Sequence, residues 1–329
     1  MNAAATYRAA ALCFVLLILT ACDGPQSAMS GGGPEAARTL LLAEIMFWGG
    51  GVITVFILAL TAIAIWSPPR WKQNLKDERA IIAGGILFPV VTLSALLFYG
   101  FIVFSANANI VDDRDPVRIT ITGEQWWWRV VYEQGDGTTT ESANELRLPV
   151  GQPVELKLKS ADVLHSFWIP AYAGKVDMVP GRTNVLRLVA DEAGVVRGQC
   201  AEYCGGAHAF MSLYAIAMPP EAYVDWMTHE RSVAAPVVDS QGGRLFQASG
   251  CGGCHTVRGT QANGVIGPDL THVASRRSLG AGVLANNHAA FADWIKNHDS
   301  IKPDTRMPPF EFLTDAEIDH IASYLAELD

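Results

Sequence analysis

Residues 198–211 read GQCAEYCGGAHAFM, a C-x-x-x-C-x-x-x-H-x-x-M spacing that gathers Cys200, Cys204, His208 and Met211 into one loop. Soft thiolates with an imidazole and a thioether suit copper rather than calcium or magnesium. One thiolate, two imidazoles and a weak methionine would make a mononuclear site, but two thiolates in one loop can bridge two metal ions. A second imidazole is available upstream at His165, in VLHSFWIP. Two other readings of the same cysteines stand open: a disulfide in an oxidising compartment, and a tetrahedral zinc site.

Outward from this loop the chain alternates. Between Pro116 and about Pro220, VRITITG (117–123), VELKLKS (154–160) and VLRLVA (185–190) place apolar and polar residues in turn, the period of a strand with one buried face. GDG, PVGQP and VPGR supply the turns. Short strands at such intervals predict an all-β sandwich or barrel, here over 111–222. Within it stand three consecutive tryptophans, 126–128. On a strand, alternate rings fill a core and the middle one faces outward.

A small, polar, proline-containing linker (223–240) then leads to LFQASGCGGCHTV and a segment of different composition, 241–329. C-x-x-C-H marks the attachment of c-type haem: Cys251 and Cys254 form thioethers to the porphyrin and His255 supplies the proximal nitrogen. A thioredoxin-like reading of C-x-x-C calls for a cytosolic βαβ setting, which this segment does not offer. Met307, in TRMPPF, stands at a spacing suited to the second axial ligand, and a methionine there raises the reduction potential. His272, His288, His298 and His320 are the alternatives. LTDAEIDHIASYLAEL opens with Thr314 and Glu317 as a capping box and continues with Ile318, Ile321, Leu325 and Leu328 at helical spacing, so this segment is expected to be all-α.

The N-terminal part is apolar. The 329 residues are 50% hydrophobic with a formal charge of −9, which argues against nucleic acid as a partner. Arg8 precedes a short apolar run with the character of a signal-peptide core, placed at 1–21. It ends in LTAC, where Cys22 holds the position of the lipidated cysteine of bacterial lipoproteins; plain secretory cleavage is the alternative. Two apolar stretches, placed at 41–66 and 80–106, exceed the ~20 residues that span hydrocarbon. Arg70, Lys72, Lys76 and Arg79 between them assign that loop to the cytoplasm and everything after about Val111 to the outside. Glu44, at the outer mouth of the first stretch, reads as an interfacial residue.

LHSFWIP, KVDMVPGR, GQCAEYCGGAHAFM and GEQWWWRV together resemble cytochrome c oxidase subunit II, and the CGGCH segment resembles the fused cytochrome c of caa-type haem-copper oxidases. The resemblance implies a two-helix transmembrane hairpin, an all-β cupredoxin-like sandwich holding the binuclear copper centre CuA, and an all-α cytochrome c domain. It implies His165, Cys200, Cys204, His208 and Met211 as side-chain copper ligands. Glu202 would ligate through its backbone carbonyl while its carboxylate reaches a magnesium ion at the interface with subunit I. Trp126 is implied to lie at the surface where electrons arrive. Electrons would pass from a periplasmic donor, such as a cytochrome c, through haem c and CuA to the oxygen-reducing centre of subunit I, with subunit III as a further partner. The setting implied is the bacterial inner membrane, with the copper and haem domains on its periplasmic side.

A quinol-oxidase subunit should lack the copper ligands, and a membrane-anchored copper-binding or metallation protein needs no covalent haem. Many relatives carry a Glu about two turns before a proline like Pro89; here that place falls near Ile82, so a part in proton uptake does not carry over. Of the six cysteines, Cys13 leaves with the signal peptide, Cys22 is the candidate anchor, and the other four go to copper and haem.

Overall fold

The computed structural model describes residues 24–71, 77–108, 114–234 and 240–329. The signal segment, Cys22, Lys72 and Lys76 lie outside the described residues.

Two helices long and apolar enough to cross a membrane form a unit of their own. The first, α1 (Pro34–Trp66), starts well before the expected residue 41. Pro34 stands at the first helical position, where its missing N–H is no loss, and Glu35 meets the positive end of the helix dipole. Hydropathy alone passes over such polar first turns. The span expected over 80–106 lies inside one apolar helical stretch, Glu78–Asn107, in which α2 (Glu78–Ile82) passes through a π-helical turn (Ala83–Leu87) into α3 (Phe88–Ala108). Pro89 has no N–H and its ring displaces the carbonyl of Gly85, which accounts for the widened turn. Arg38 Nη1 donates to Ala106 O at 3.3 Å and Asn107 Oδ1 at 3.1 Å, tying the start of α1 to the end of α3.

The second unit holds the sandwich and the segment 240–329 together. Ten strands build the sandwich: β1 (Val117–Glu124), β2 (Trp127–Glu133), β3 (Thr139–Ala143), β4 (Glu145–Pro149), β5 (Val154–Ser160), β6 (His165–Trp168), β7 (Val176–Met178), β8 (Asn184–Leu188), β9 (Gly194–Cys200) and β10 (Ser212–Met218). They form two five-stranded sheets, ordered β3-β2-β1-β5-β8 and β4-β10-β9-β6-β7. The alternation does what the sequence pattern predicts. Ile119 and Ile121 on β1 and Leu156 and Leu158 on β5 are fully buried while Thr120, Lys157 and Lys159 are not, and each buried aliphatic contributes roughly 1.5–3 kcal/mol. β1 pairs with β5, and β4 with β10, in parallel, so the chain crosses between the sheets instead of running as a simple meander.

After α4 (Pro220–Glu230), the segment 240–329 folds as α5 (Gln241–Ala248), α6 (His288–Ile301) and α7 (Asp315–Ala326). It is helical as expected, apart from the two-residue strands β11 (Ser278–Leu279) and β12 (Leu284–Ala285). The capping box forms at α7, Thr314 accepting from Glu317 N while Glu317 accepts in return. Ile318, Ile321 and Leu325 then pack with Phe246 and Phe291 in a core separate from that of the sandwich.

Candidate functional site

His165 opens β6 and Cys200 closes β9; because these strands pair antiparallel with Phe167 opposite Cys200, the sheet brings the two side chains to one edge. The loop to β10 supplies the rest, and it is pinned at its base by Cys200 N donating to Met211 O at 2.9 Å. Cys200 Sγ lies 3.8 Å from His165 Nδ1, 3.7 Å from Cys204 Sγ and 3.2 Å from Glu202 O. Cys204 Sγ lies 3.5 Å from His208 Nδ1 and 3.9 Å from Met211 Sδ. All six residues singled out from the sequence therefore converge. The two sulfurs are far outside the ~2.05 Å of a disulfide and are free thiols. A thioether and two close thiols suit copper better than zinc, whose usual donors are Cys, His and carboxylate.

The surrounding groups prepare these donors. Asp162 Oδ1 sits 2.8 Å from His165 Nε2, leaving Nδ1 free toward the sulfurs. Burial works against charge on His165, yet Cys200 and Asp162 outweigh it and hold the imidazole above its ordinary value. The neighbouring thiol and His165 pull one proton of the Cys200–Cys204 pair well below the ordinary thiol range, and the thiolate so formed pushes the second far up. The pair thus sheds its first proton readily, and a bound metal would displace the second. Trp128, fully buried, packs edge-on to Phe167 at 5.4 Å and tilted to His165 at 6.2 Å. Gly123 lies directly beneath the same ring, where an added Cβ would come within 2.9 Å of His165 Cδ2. Asp162 and Gly123 escaped the sequence reading; an acid three residues before a ligand histidine was the one available signal.

In the helical segment a cavity of about 500 Å³ is lined by Cys251, Cys254, His255 and Met307. Pro268 O accepts from His255 Nδ1 at 2.8 Å, so Nε2 is the nitrogen left to ligate. Gly267 lets the ring seat, since a Cβ there would stand 2.5 Å from His255 Cε1. The GPDL turn thus orients the imidazole. Burial holds His255 below its ordinary pKa, hence neutral and fit to bind a metal. Arg276 Nε and Ser278 Oγ, both buried on the cavity wall, have no hydrogen-bond partner among the described residues. They are suitable donors for the two carboxylates of a haem. His272, His288, His298 and His320 do not line this cavity; His298 instead lies with Nε2 2.9 Å from the carbonyl of Met307.

Trp126 requires a correction. It is not on an open surface but 8% exposed, under the segment 240–329, where it helps to line the haem-sized cavity. Lys302 Nζ donates to Trp126 O at 2.6 Å, and Trp126 Nε1 donates to Cys204 O at 3.0 Å. The face that a separate partner would use is covered by this chain's own helical segment. Trp127 is less buried, with the Arg129 guanidinium 4.7 Å above its ring; the middle ring points away from the sandwich core, as expected, but toward the helical segment, where it too lines the cavity. Lys302 itself is 3% exposed, and burial pulls its ammonium down to about 7.

A cluster of soft donors suited to copper, with a C-x-x-C-H turn in the same compact unit, has the character of an electron-transfer protein. Residues 130–218 match the family model of the cytochrome c oxidase subunit II periplasmic domain, and 240–329 match that of cytochrome c. A cytochrome c oxidase subunit 2 from Alkalihalophilus pseudofirmus is 31% identical over 340 residues, covering 96% of this chain and 95% of the relative. Another, from Bacillus sp. (strain PS3), is 31% identical over 230 residues, 66% of this chain and 63% of the relative. The chain belongs to the cytochrome c oxidase subunit II family, with a cytochrome c fused behind its copper domain. Membership implies a CuA centre, haem, attachment to a membrane and work beside subunit I of a haem-copper terminal oxidase. Of solved structures, the periplasmic domain of subunit II of cytochrome oxidase from Bradyrhizobium japonicum is 29% identical, covering 36% of this chain and 95% of that one, with a TM-score of 0.34.

Proposed function

We propose that this chain is the electron-receiving subunit of a caa-type oxidase of the bacterial inner membrane, its copper and haem domains on the periplasmic side. The observation that carries this is the convergence of the six donors beside the haem-sized cavity in one compact unit. His165, Cys200, Cys204, His208 and Met211 hold the copper pair with the carbonyl of Glu202, whose carboxylate takes a magnesium ion at the contact with subunit I. Cys251 and Cys254 would hold the haem covalently, and His255 and Met307 would be the residues that ligate its iron. When bound, these groups supply one-electron carriers whose charge is spread over metal and ligands.

The chain's own residues do the rest. Asp162 fixes the tautomer of His165 and Pro268 O that of His255, so each ring presents one lone pair. Arg276 and Ser278 anchor the haem carboxylates. Trp126, between the cavity and Cys204, is the point at which electrons reach the copper domain. Because the helical segment covers Trp126, a periplasmic cytochrome c or other donor delivers to that segment. The domains run as signal peptide 1–21 with Cys22 as lipid anchor, spans 41–66 and 80–106 at their apolar cores, a copper domain that extends past the expected 111–222 through α4, and cytochrome domain 241–329, with subunit III completing the complex. Tyr223, Trp226 and Met227 of α4 pack on the sandwich core, so the expected linker 223–240 begins only after Glu230.

Met307→Ala tests this reading. The haem stays attached, its reduction potential falls by on the order of 100 mV within the ~0.8 V that axial ligands command, and the complex consumes oxygen more slowly with a reduced soluble cytochrome c. An unchanged potential would remove Met307 from the iron.

A further inference from the structure

Residues 302–307, KPDTRM, leave α6 and end on Met307. Two of their side chains, Lys302 and Arg306, reach residues of the sandwich that are themselves bonded to the copper loop, while Ser212 and Arg197 bond Ala281 and Gly282 elsewhere on the junction. Lys302 Nζ donates to Gly280 O at 2.9 Å within its own segment and to Trp126 O in the sandwich, and Trp126 in turn donates to Cys204 O. Arg306 donates to Gln125 Oε1, and Gln125 Nε2 donates to the same Cys204 O at 2.7 Å. Arg306 also stands 3.5 Å from Asp162 Oδ2, whose other oxygen holds His165. Between the two cations, Asp304 packs on Gly206 so closely that a Cβ on that glycine would lie 1.7 Å from Asp304 Oδ2.

A buried ammonium costs free energy that an apolar side chain of the same length would not, unless its hydrogen bonds are made. Lys302 makes two of its three, one on each side of the junction. We propose that Lys302 and Arg306 are positioning residues that clamp the cytochrome segment onto the copper loop and thereby set the rate at which one electron leaves the reduced haem iron and enters the oxidised copper pair. The proposal rests on the cofactor assignment above. Its physical content is short and specific: the strip that carries the axial Met307 is held, through one intervening residue on each path, to the carbonyl of the ligand Cys204 and the ring of the ligand His165.

The test uses the full-length chain, matured with haem and copper, as parent, Lys302→Met and Arg306→Gln. Transfer from photoreduced haem to copper is timed, and backbone hydrogen exchange is read over 125–128. Lys302→Met should slow transfer by roughly tenfold to a hundredfold, the upper figure being that for a reacting pair misplaced by about 1 Å, and Arg306→Gln by a smaller factor that still exceeds twofold. Both should keep the haem absorption and copper resonance of the parent while exchange over 125–128 rises. Arg306 is 61% exposed, so its variant folds and decides the matter alone if Lys302→Met does not. Transfer within twofold of the parent, even with lowered thermal stability, would overturn the clamp and leave the two residues a merely structural role. A parent without a two-copper resonance would instead overturn the cofactor assignment, and the clamp with it.

Discussion

Cys204→Ser is expected to bring the copper content from two per chain to one or none and to lower electron delivery by about 10³-fold or more. Cys204 Sγ stands at the middle of the cluster, within 4 Å of the Cys200, His208 and Met211 donors. A serine hydroxyl is a hard donor that stays protonated near neutral pH, so it neither matches copper nor bridges two ions. Groups that merely orient a ligand, as Asp162 does, typically cost 10–100-fold in metal affinity when removed; a bridging ligand costs more. Cys204 is itself buried at the edge of the sandwich core, but serine is close to it in size, and Trp128, Phe167 and the β1 and β5 aliphatics form the bulk of that core. Copper analysis with the resonance spectrum of the purified variant checks the expectation, and two retained coppers would refute it.

Blocking haem attachment with Cys251→Ser and Cys254→Ser is expected to unfold the segment 240–329 while leaving the sandwich intact. The cavity of about 500 Å³ lies against the sandwich at Trp126 and is lined on its other sides by Phe246, Phe291, Ile321 and Leu325, which also belong to the core of that segment. Leaving that space unfilled deprives these core side chains of the contacts that a bound porphyrin would supply. Limited proteolysis should cut the variant beyond Ser240 and stop at the sandwich. Equal protection in variant and parent would show that the helices hold their packing without the haem.

Much of this was legible in residues 117–218 and 251–328. The period-two strands on β1 and β5, the capping box of α7 and the spacing of the sulfur, nitrogen and thioether donors are local patterns, and local patterns survive reading in one dimension. What was not legible depends on contacts between distant parts of the chain. Trp126 looks like a surface residue because nothing in QWWW shows that Lys302, far along the chain, closes over it. Asp162 looks like a turn residue until the strand places it on His165. The π turn before Pro89 and the polar first turns of α1 are backbone effects that a hydropathy window averages away.

The most direct measurement is the copper count and electron paramagnetic resonance spectrum of the oxidised full-length chain, matured with haem and loaded with copper. The expected result is two coppers per chain sharing one unpaired electron, with both nuclei splitting the signal equally. One localised copper, a zinc ion, or a disulfide between Cys200 and Cys204 in a folded sample would contradict it, leaving a membrane-tethered cytochrome c whose sandwich serves some other task.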